Sequence, residues 1–413
     1  MTRKKLLPFL LLLAFSLGGC QTPAGTSPAP AVSEPAISQP PAEPLPSQSI
    51  PAPNPISGQI ASMSDEELIG QLLVADIEGT VPGESARQTI QNLRPGGVIL
   101  FSRNVESAEQ LASLTNALKS INAGAGNIPL LLCVDQEGGA VSRMPSEVVS
   151  LPSAYQYIQS GGDPYALGEI LAAECAAFGF HVDFAPVLDI WSNPANTVIG
   201  KRAFGTEPET AAECGSQTAL GLMAGGVIPV GKHFPGHGDT DTDSHSDLPV
   251  VTKTQQELEE LELIPFRRAI TDGLPCIMAA HILMTELDPE RPASLSPAVV
   301  TDLLRGKLGF DGVVFTDDLT MGAITQNYGV GQAAVLSIQA GCDMVLVCHG
   351  ADNVQAAFSA LLSALENGEL SRERLEESVY RILSLKAAYG VDDTPVDTPN
   401  VDELNQRIQG ILP

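Results

Sequence analysis

Positive charge is scarce in this 413-residue chain: 22 lysines and arginines face 49 aspartates and glutamates, for a formal net charge of −27. So acidic a surface repels phosphate backbones and anionic headgroups, which argues against nucleic acid and against electrostatic lipid binding. It does not forbid an anionic substrate in a locally basic pocket. No CxxC or zinc-type cysteine pattern occurs. No GxGxxG supports a dinucleotide site, and no HExxH supports a zinc protease. The apolar run from Leu6 to Leu17 falls short of the ~20 residues that a spanning helix needs.

That run has another reading. Arg3, Lys4 and Lys5 precede it, and Gly18, Gly19 and Cys20 follow. This is the order of a signal peptide: charged region, apolar region, small-residue cleavage site. Leu17-Gly18-Gly19-Cys20 resembles a bacterial lipobox. Residues 1–19 are therefore expected to be a lipoprotein signal. Cys20 is expected to be the lipidated N-terminus, anchored to the outer face of a bacterial membrane. Residues 20–56 follow as a linker; from 21 to 56 there are eleven prolines and only two charges, Glu34 and Glu43. Such composition cannot bury a core and favours extended polyproline II. At ~3.1 Å per residue it is a tether reaching at most about 110 Å. Six cysteines remain: Cys133, Cys175, Cys214, Cys276, Cys342 and Cys348. An even number outside the cytosol permits disulfides. Long spacings and the apolar runs around Cys133, Cys276 and Cys348 favour buried thiols.

Residues 57–390 carry the folded part, and 391–413 form a short acidic tail. Eight apolar runs recur in the folded part, near 70–77 and at 96–101, 128–134, 181–187, 226–231, 275–280, 312–316 and 342–347. Most are bounded by Gly or Pro and are near-continuous, as parallel strands buried on both faces read. Helical patterns fill the gaps, at 64–73, 106–120, 165–178, 208–224, 254–271, 296–306, 330–340, 353–366 and 371–388. The first opens with a Ser64/Glu67 capping box. The alternation predicts an α/β fold, a single (β/α)₈ TIM-type barrel; a doubly wound open sheet is the alternative. In a barrel the catalytic groups sit at the C-terminal ends of strands. Polar residues do follow the runs: Arg103 and Asn104, Asp135, Asp189, Lys232 and His233, His281, Asp317 and Asp318, and His349.

The segment KHFPGHGDTDTDSHSDLP, residues 232–249, holds three of the six histidines and four aspartates. Pro235, Gly236 and Gly238 exclude a helix there. It is a loop rich in titratable groups. A metal site from His233, His237, Asp239, Asp243 and His245 is one reading of it. A His-x₃-His pair binds zinc when both side chains share a helical face, and that face is missing. No metal or other cofactor is expected.

These residues resemble glycoside hydrolase family 3, and within it the NagZ-like β-N-acetylglucosaminidases of cell-wall recycling. The resemblance rests on the 232–249 loop, TDDLTM at 316–321, VDQEGGAVSR at 134–143, NPANTVIGKRAFG at 193–205 and PASLS at 292–296. It runs from about residue 60 to 390. It implies a retaining, exo-acting β-N-acetylhexosaminidase acting on peptidoglycan-derived fragments or other glycans ending in N-acetylglucosamine. It places the nucleophile at Asp317. The same resemblance places the acid/base on His245, paired with Asp243; a carboxylate beside an imidazole raises its pKa and fixes its tautomer, which suits that task. Gly236 and Gly238 are expected to free the loop to close over a bound sugar. By the same resemblance Asp135, Arg143, Arg202, Lys232 and His233 hold or line the terminal sugar. Arg143 or Arg202 pairing with a structural carboxylate is the plainer alternative. His237 is expected to brace the loop, and His281 is a lesser pocket candidate.

Other readings stay open. A histidine donor repels phosphate less than a carboxylate does, so phosphorolysis competes with hydrolysis. β-Glucosidase activity and a non-catalytic sugar-binding lipoprotein are further alternatives.

Overall fold

All eight apolar runs contain strands in the computed structural model, which describes residues 55–240, 244 and 247–413. They are β1 (Leu73–Asp76), β2 (Gly97–Leu100), β3 (Leu131–Val134) and β4 (Val182–Asp183). β5 (Ile228–Phe234), β6 (Cys276–Ala279), β7 (Val313–Asp318) and β8 (Met344–Val347) complete the set. Each pairs in parallel with the next, and β8 closes onto β1 through Leu73 opposite Val345. The result is the closed eight-stranded barrel, not the open sheet.

Side chains alternate across each strand. On β7, Val313 and Phe315 face the barrel interior, while Val314 packs outward against the helices. Leu131 and Cys133 of β3, and Ile228 and Val230 of β5, fill the same interior. One more inward step on these three alternate strands reaches Asp135, Lys232 and Asp317. Apolar layers thus plug the barrel below, and the layer at its C-terminal mouth turns polar.

Between strands lie helices such as Ala108–Gly124, Pro164–Ala177, Pro208–Ala224 and Arg372–Ala388. The capping box forms: Ser64 accepts the Glu67 N–H, and Glu67 accepts the Ser64 N–H. The long helix expected over 254–271 is broken into Gln255–Glu260 and Leu263–Thr271. Pro265 has no N–H to offer the Leu261 carbonyl four residues back. Residues 391–413 are not a separate tail. Asn116 exchanges two hydrogen bonds with Val396. Helix Val401–Ile411 buries Leu404 and Ile408 in the core. Its amphipathic spacing satisfies that face despite the acidic composition around it. Helix Pro55–Ser62 straddles the expected linker boundary at 56/57. All six described cysteines are buried and unpaired, and burial pushes their thiols up. Cys20 and the signal and linker expectations for residues 1–54 lie outside the described residues.

Candidate active site

A cavity of about 310 Å³ opens at the C-terminal mouth. Six predicted residues line it: Asp135, Arg143, Arg202, Lys232, His233 and Asp317. The predicted dyad, Asp243 and His245, lies outside the described residues.

Asp317 and Asp318 are told apart by their partners. The Asp318 carboxylate accepts the backbone N–H groups of Thr320 (2.9 Å) and Cys348 (3.0 Å) and the Thr320 hydroxyl (2.6 Å). It also meets His349 Nδ1 at 3.2 Å. Asp317 Oδ1 accepts the Asp318 N–H at 2.8 Å, and its other oxygen has no hydrogen-bond partner among the described residues. Burial alone would raise the Asp317 carboxyl. The neighbouring His281 and His233, the Asp318 N–H and Lys232 outweigh it and hold the group below the usual carboxylate range. It is an ionised, partly accessible carboxylate on a rigid strand.

Lys232 is almost fully buried, with Nζ 2.7 Å from both Asp135 and Glu137. Burial would lower its ammonium; the two carboxylates raise it. Glu137 is also gripped by Arg202, Nε to Oε2 at 2.8 Å and Nη2 to Oε1 at 2.7 Å. Burial disfavours its charge, yet Arg202 and Lys232 pull its carboxyl far down. Arg202 therefore takes the structural pairing. Arg143 does not: its buried Nε has no partner among the described residues, and its guanidinium lines the cavity. A charged donor in that state is suited to a ligand oxygen.

His233 donates from Nδ1 to Asp189 at 2.6 Å, while Arg202 Nη2 approaches its Nε2 at 3.3 Å. A guanidinium can only donate, so Nε2 accepts and the tautomer is set. Asp189 also accepts the His237 N–H at 2.6 Å. Burial opposes the Asp189 charge, and His233 and His237 more than restore it.

His237 ties the start of the long loop to its far side. Thr240 gives its hydroxyl proton to the His237 carbonyl (3.0 Å), so His237 Nδ1–H donates to Thr240 Oγ1 (2.7 Å). Nε2 is left to accept from Ser244 Oγ at 3.2 Å. The Ser244 carbonyl accepts the Ala323 N–H at 3.2 Å. The two loop glycines permit close packing. Gly236, at φ +131°, has a site where a Cβ would come within 2.8 Å of the Glu262 side chain. A Cβ on Gly238 would strike the Ile190 carbonyl.

His281 does not line the cavity. It is fully buried behind β7, with Nε2 donating to the Asp318 carbonyl at 2.9 Å and Nδ1 meeting Ser294 at 2.7 Å. Burial lowers its pKa. Glu137 and Asp189 are what sequence reasoning left without a role. Glu137 sits two residues after Asp135, on the same alternating side, and that spacing was the available signal. His181 lies at the opposite, N-terminal end of the barrel, where its Nδ1 accepts the Leu132 N–H at 3.1 Å. Burial pushes it down to about 4.

Known proteins share this architecture. A family model described as the glycosyl hydrolase family 3 N terminal domain matches residues 64–385. A β-hexosaminidase of Nitrosomonas eutropha is 39% identical over 325 residues, covering 76% of this chain and 91% of its own. The structure of a glycoside hydrolase family 3 β-N-acetylglucosaminidase from Paenibacillus sp. str. FPU-7 is 41% identical with a TM-score of 0.81, covering 85% of this chain and 68% of that one. That of a β-N-acetylhexosaminidase from Beutenbergia cavernae is 30% identical with a TM-score of 0.73, covering 80% and 100%. A match that spans the barrel from first strand to last, with relatives this similar, establishes membership: the chain belongs to glycosyl hydrolase family 3 and is a glycoside hydrolase.

Proposed function

We propose that this enzyme is a retaining, exo-acting β-N-acetylhexosaminidase that removes terminal N-acetylglucosamine from peptidoglycan-derived fragments. The observation that carries the reading is the half-engaged Asp317 carboxylate, facing a cavity furnished with Lys232, Arg143 and His233. The names of the relatives support the sugar. The signal-like N-terminus, lipobox Cys20 and proline-rich tether support an extracytoplasmic lipoprotein working near the wall.

In the first step an Asp317 oxygen attacks the anomeric carbon as the glycosidic C–O bond breaks. His245, as imidazolium, gives its proton to the departing oxygen, and Asp243 holds the ring and stabilises its charge. In the second step water attacks the anomeric carbon, its proton passes to His245, and Asp317 departs as carboxylate. Two inversions give net retention. Asp135, Arg143, Lys232 and His233 orient the terminal sugar, while Arg202 fixes Glu137 and His233.

The test is turnover of p-nitrophenyl N-acetyl-β-glucosaminide, followed by NMR of the first-formed anomer and by trapping with a fluorinated sugar. Retention and label on Asp317 support the reading. Inverted product, label elsewhere, or sugar 1-phosphate as the main product in phosphate buffer overturns it. Replacing Cys20 by serine tests the anchor: the protein should move from the membrane fraction to the soluble one.

A further inference from the structure

The two sides of the cavity are built differently. Asp135 and Arg143 come from the segment after β3, and Lys232 and His233 from β5. On the other side Phe101 follows β2 and His349 follows β8, and both line the same cavity. The His349 side chain is 65% exposed, yet it is held in place. Its Nδ1 meets Thr320 Oγ1 at 3.0 Å and Asp318 Oδ2 at 3.2 Å. Its ring stacks on Phe101, with centroids 6.2 Å apart and planes inclined by 29°. Phe101 is braced by the Arg103 guanidinium, 4.3 Å from the ring centroid. Arg103 is in turn tied to Asp76 and to the Cys348 carbonyl. An exposed side chain ordinarily keeps its rotamer freedom; this one is fixed at a rim through Nδ1 and its ring face.

We infer that His349, backed by Phe101, is the platform for the sugar ring on the leaving-group side of the scissile bond. The inference rests on Asp317 as nucleophile and on the Asp135–Lys232 side as the pocket for the terminal sugar. With the terminal hydroxyls held there, the glycosidic oxygen departs toward the other arc of the mouth, where β8 and β2 end. A pyranose face carries C–H groups, and their positive edges pack on the negative face of an aromatic ring. A flat ring, fixed in advance, suits a second pyranose and costs little ordering on binding. The site therefore selects a glycoside whose leaving group is itself a sugar.

Two substrates separate this from the activity itself: N,N′-diacetylchitobiose, and N-acetyl-β-glucosaminyl fluoride, whose leaving group is a single atom. His349→Ala should lower kcat/KM for the disaccharide by about tenfold and change that for the fluoride less than twofold. His349→Phe, which keeps a flat face and gives up Nδ1, should recover most of the disaccharide rate. Equal losses on both substrates, or no loss on the disaccharide, would overturn the platform while leaving the hydrolase reading intact. A folded wild-type enzyme that turns over neither substrate would overturn both.

Discussion

Asp317 and Asp318 are neighbours on one strand whose carboxylates do different work: one leaves an oxygen to the cavity, the other is bonded to Thr320, Cys348 and His349. Asp317→Ala should cut turnover by at least ~10⁴-fold with no loss of thermal stability. Asp318→Ala orphans the buried Cys348 N–H and should destabilise by about 2–4 kcal/mol while residual turnover persists. Thermal melts beside steady-state kinetics distinguish the two; a stable Asp318→Ala would contradict the assignment.

Glu137 makes stability depend on acid. Its carboxyl is held down by Arg202 and Lys232 against the opposing effect of burial. The unfolded chain therefore binds the proton first, and stability rises with pH in that range. The contribution is complete above the ordinary carboxylate value and drains away as pH falls below it. Glu137→Gln should flatten that acid limb in urea melts. At neutral pH it should cost about 3 kcal/mol, because Lys232 and Arg202 lose a buried counter-charge.

Glu174 behaves in the opposite sense. It is buried beside Gln136, whose Nε2 donates to it at 2.7 Å. Burial pushes its pKa up to about 8, only partly offset by that bond. The native state then binds the extra proton between the ordinary glutamate value and about 8. Its contribution is full below that ordinary value and is lost as pH rises through the raised one. Glu174→Gln keeps an acceptor for Gln136 and carries no charge. It should raise the melting temperature at pH 9, by a stability gain on the order of 3 kcal/mol, and leave pH 5 nearly unchanged. Parallel curves for the two proteins across pH 5–9 would refute this.

Ser244 lies between the two residues assigned to proton transfer, and its hydroxyl donates to His237. Ser244→Ala should loosen the proton donor and leave the nucleophile alone. We expect kcat/KM for chitobiose to fall about 10- to 100-fold, and that for an activated dinitrophenyl glycoside to change little. Ser244→Thr should restore the former. Uniform slowing of both substrates would mean that the bond serves stability alone.

The barrel was legible because its signals are local. Strands buried on both faces need continuous apolar runs, and each must stop at Gly or Pro before its helix. The polar residue after each run then falls at the mouth, which placed Asp135, Lys232 and Asp317 there, while their roles came from the family resemblance. The break before Pro265 was equally local and was passed over in favour of the longer helical period. Helix Val401–Ile411 was hidden by its acidic flanks, although Leu404 and Ile408 keep a buried spacing.

From the sequence alone came the eight strands and the polar residues at their ends, since alternation and punctuation are properties of the chain; the candidate nucleophile came from the resemblance of TDDLTM to the family segment. Partner choice was decided only by the tertiary structure. Arg202 and Arg143 look alike in a string of letters, yet Glu137 takes Arg202, and Arg143 is left facing the cavity. His281 and His349 both follow strands, yet one is sealed behind β7 and the other stands at the rim. Hydrogen bonds and ion pairs form between atoms a few ångströms apart, and residues that meet in this fold are as much as 315 positions apart in the chain.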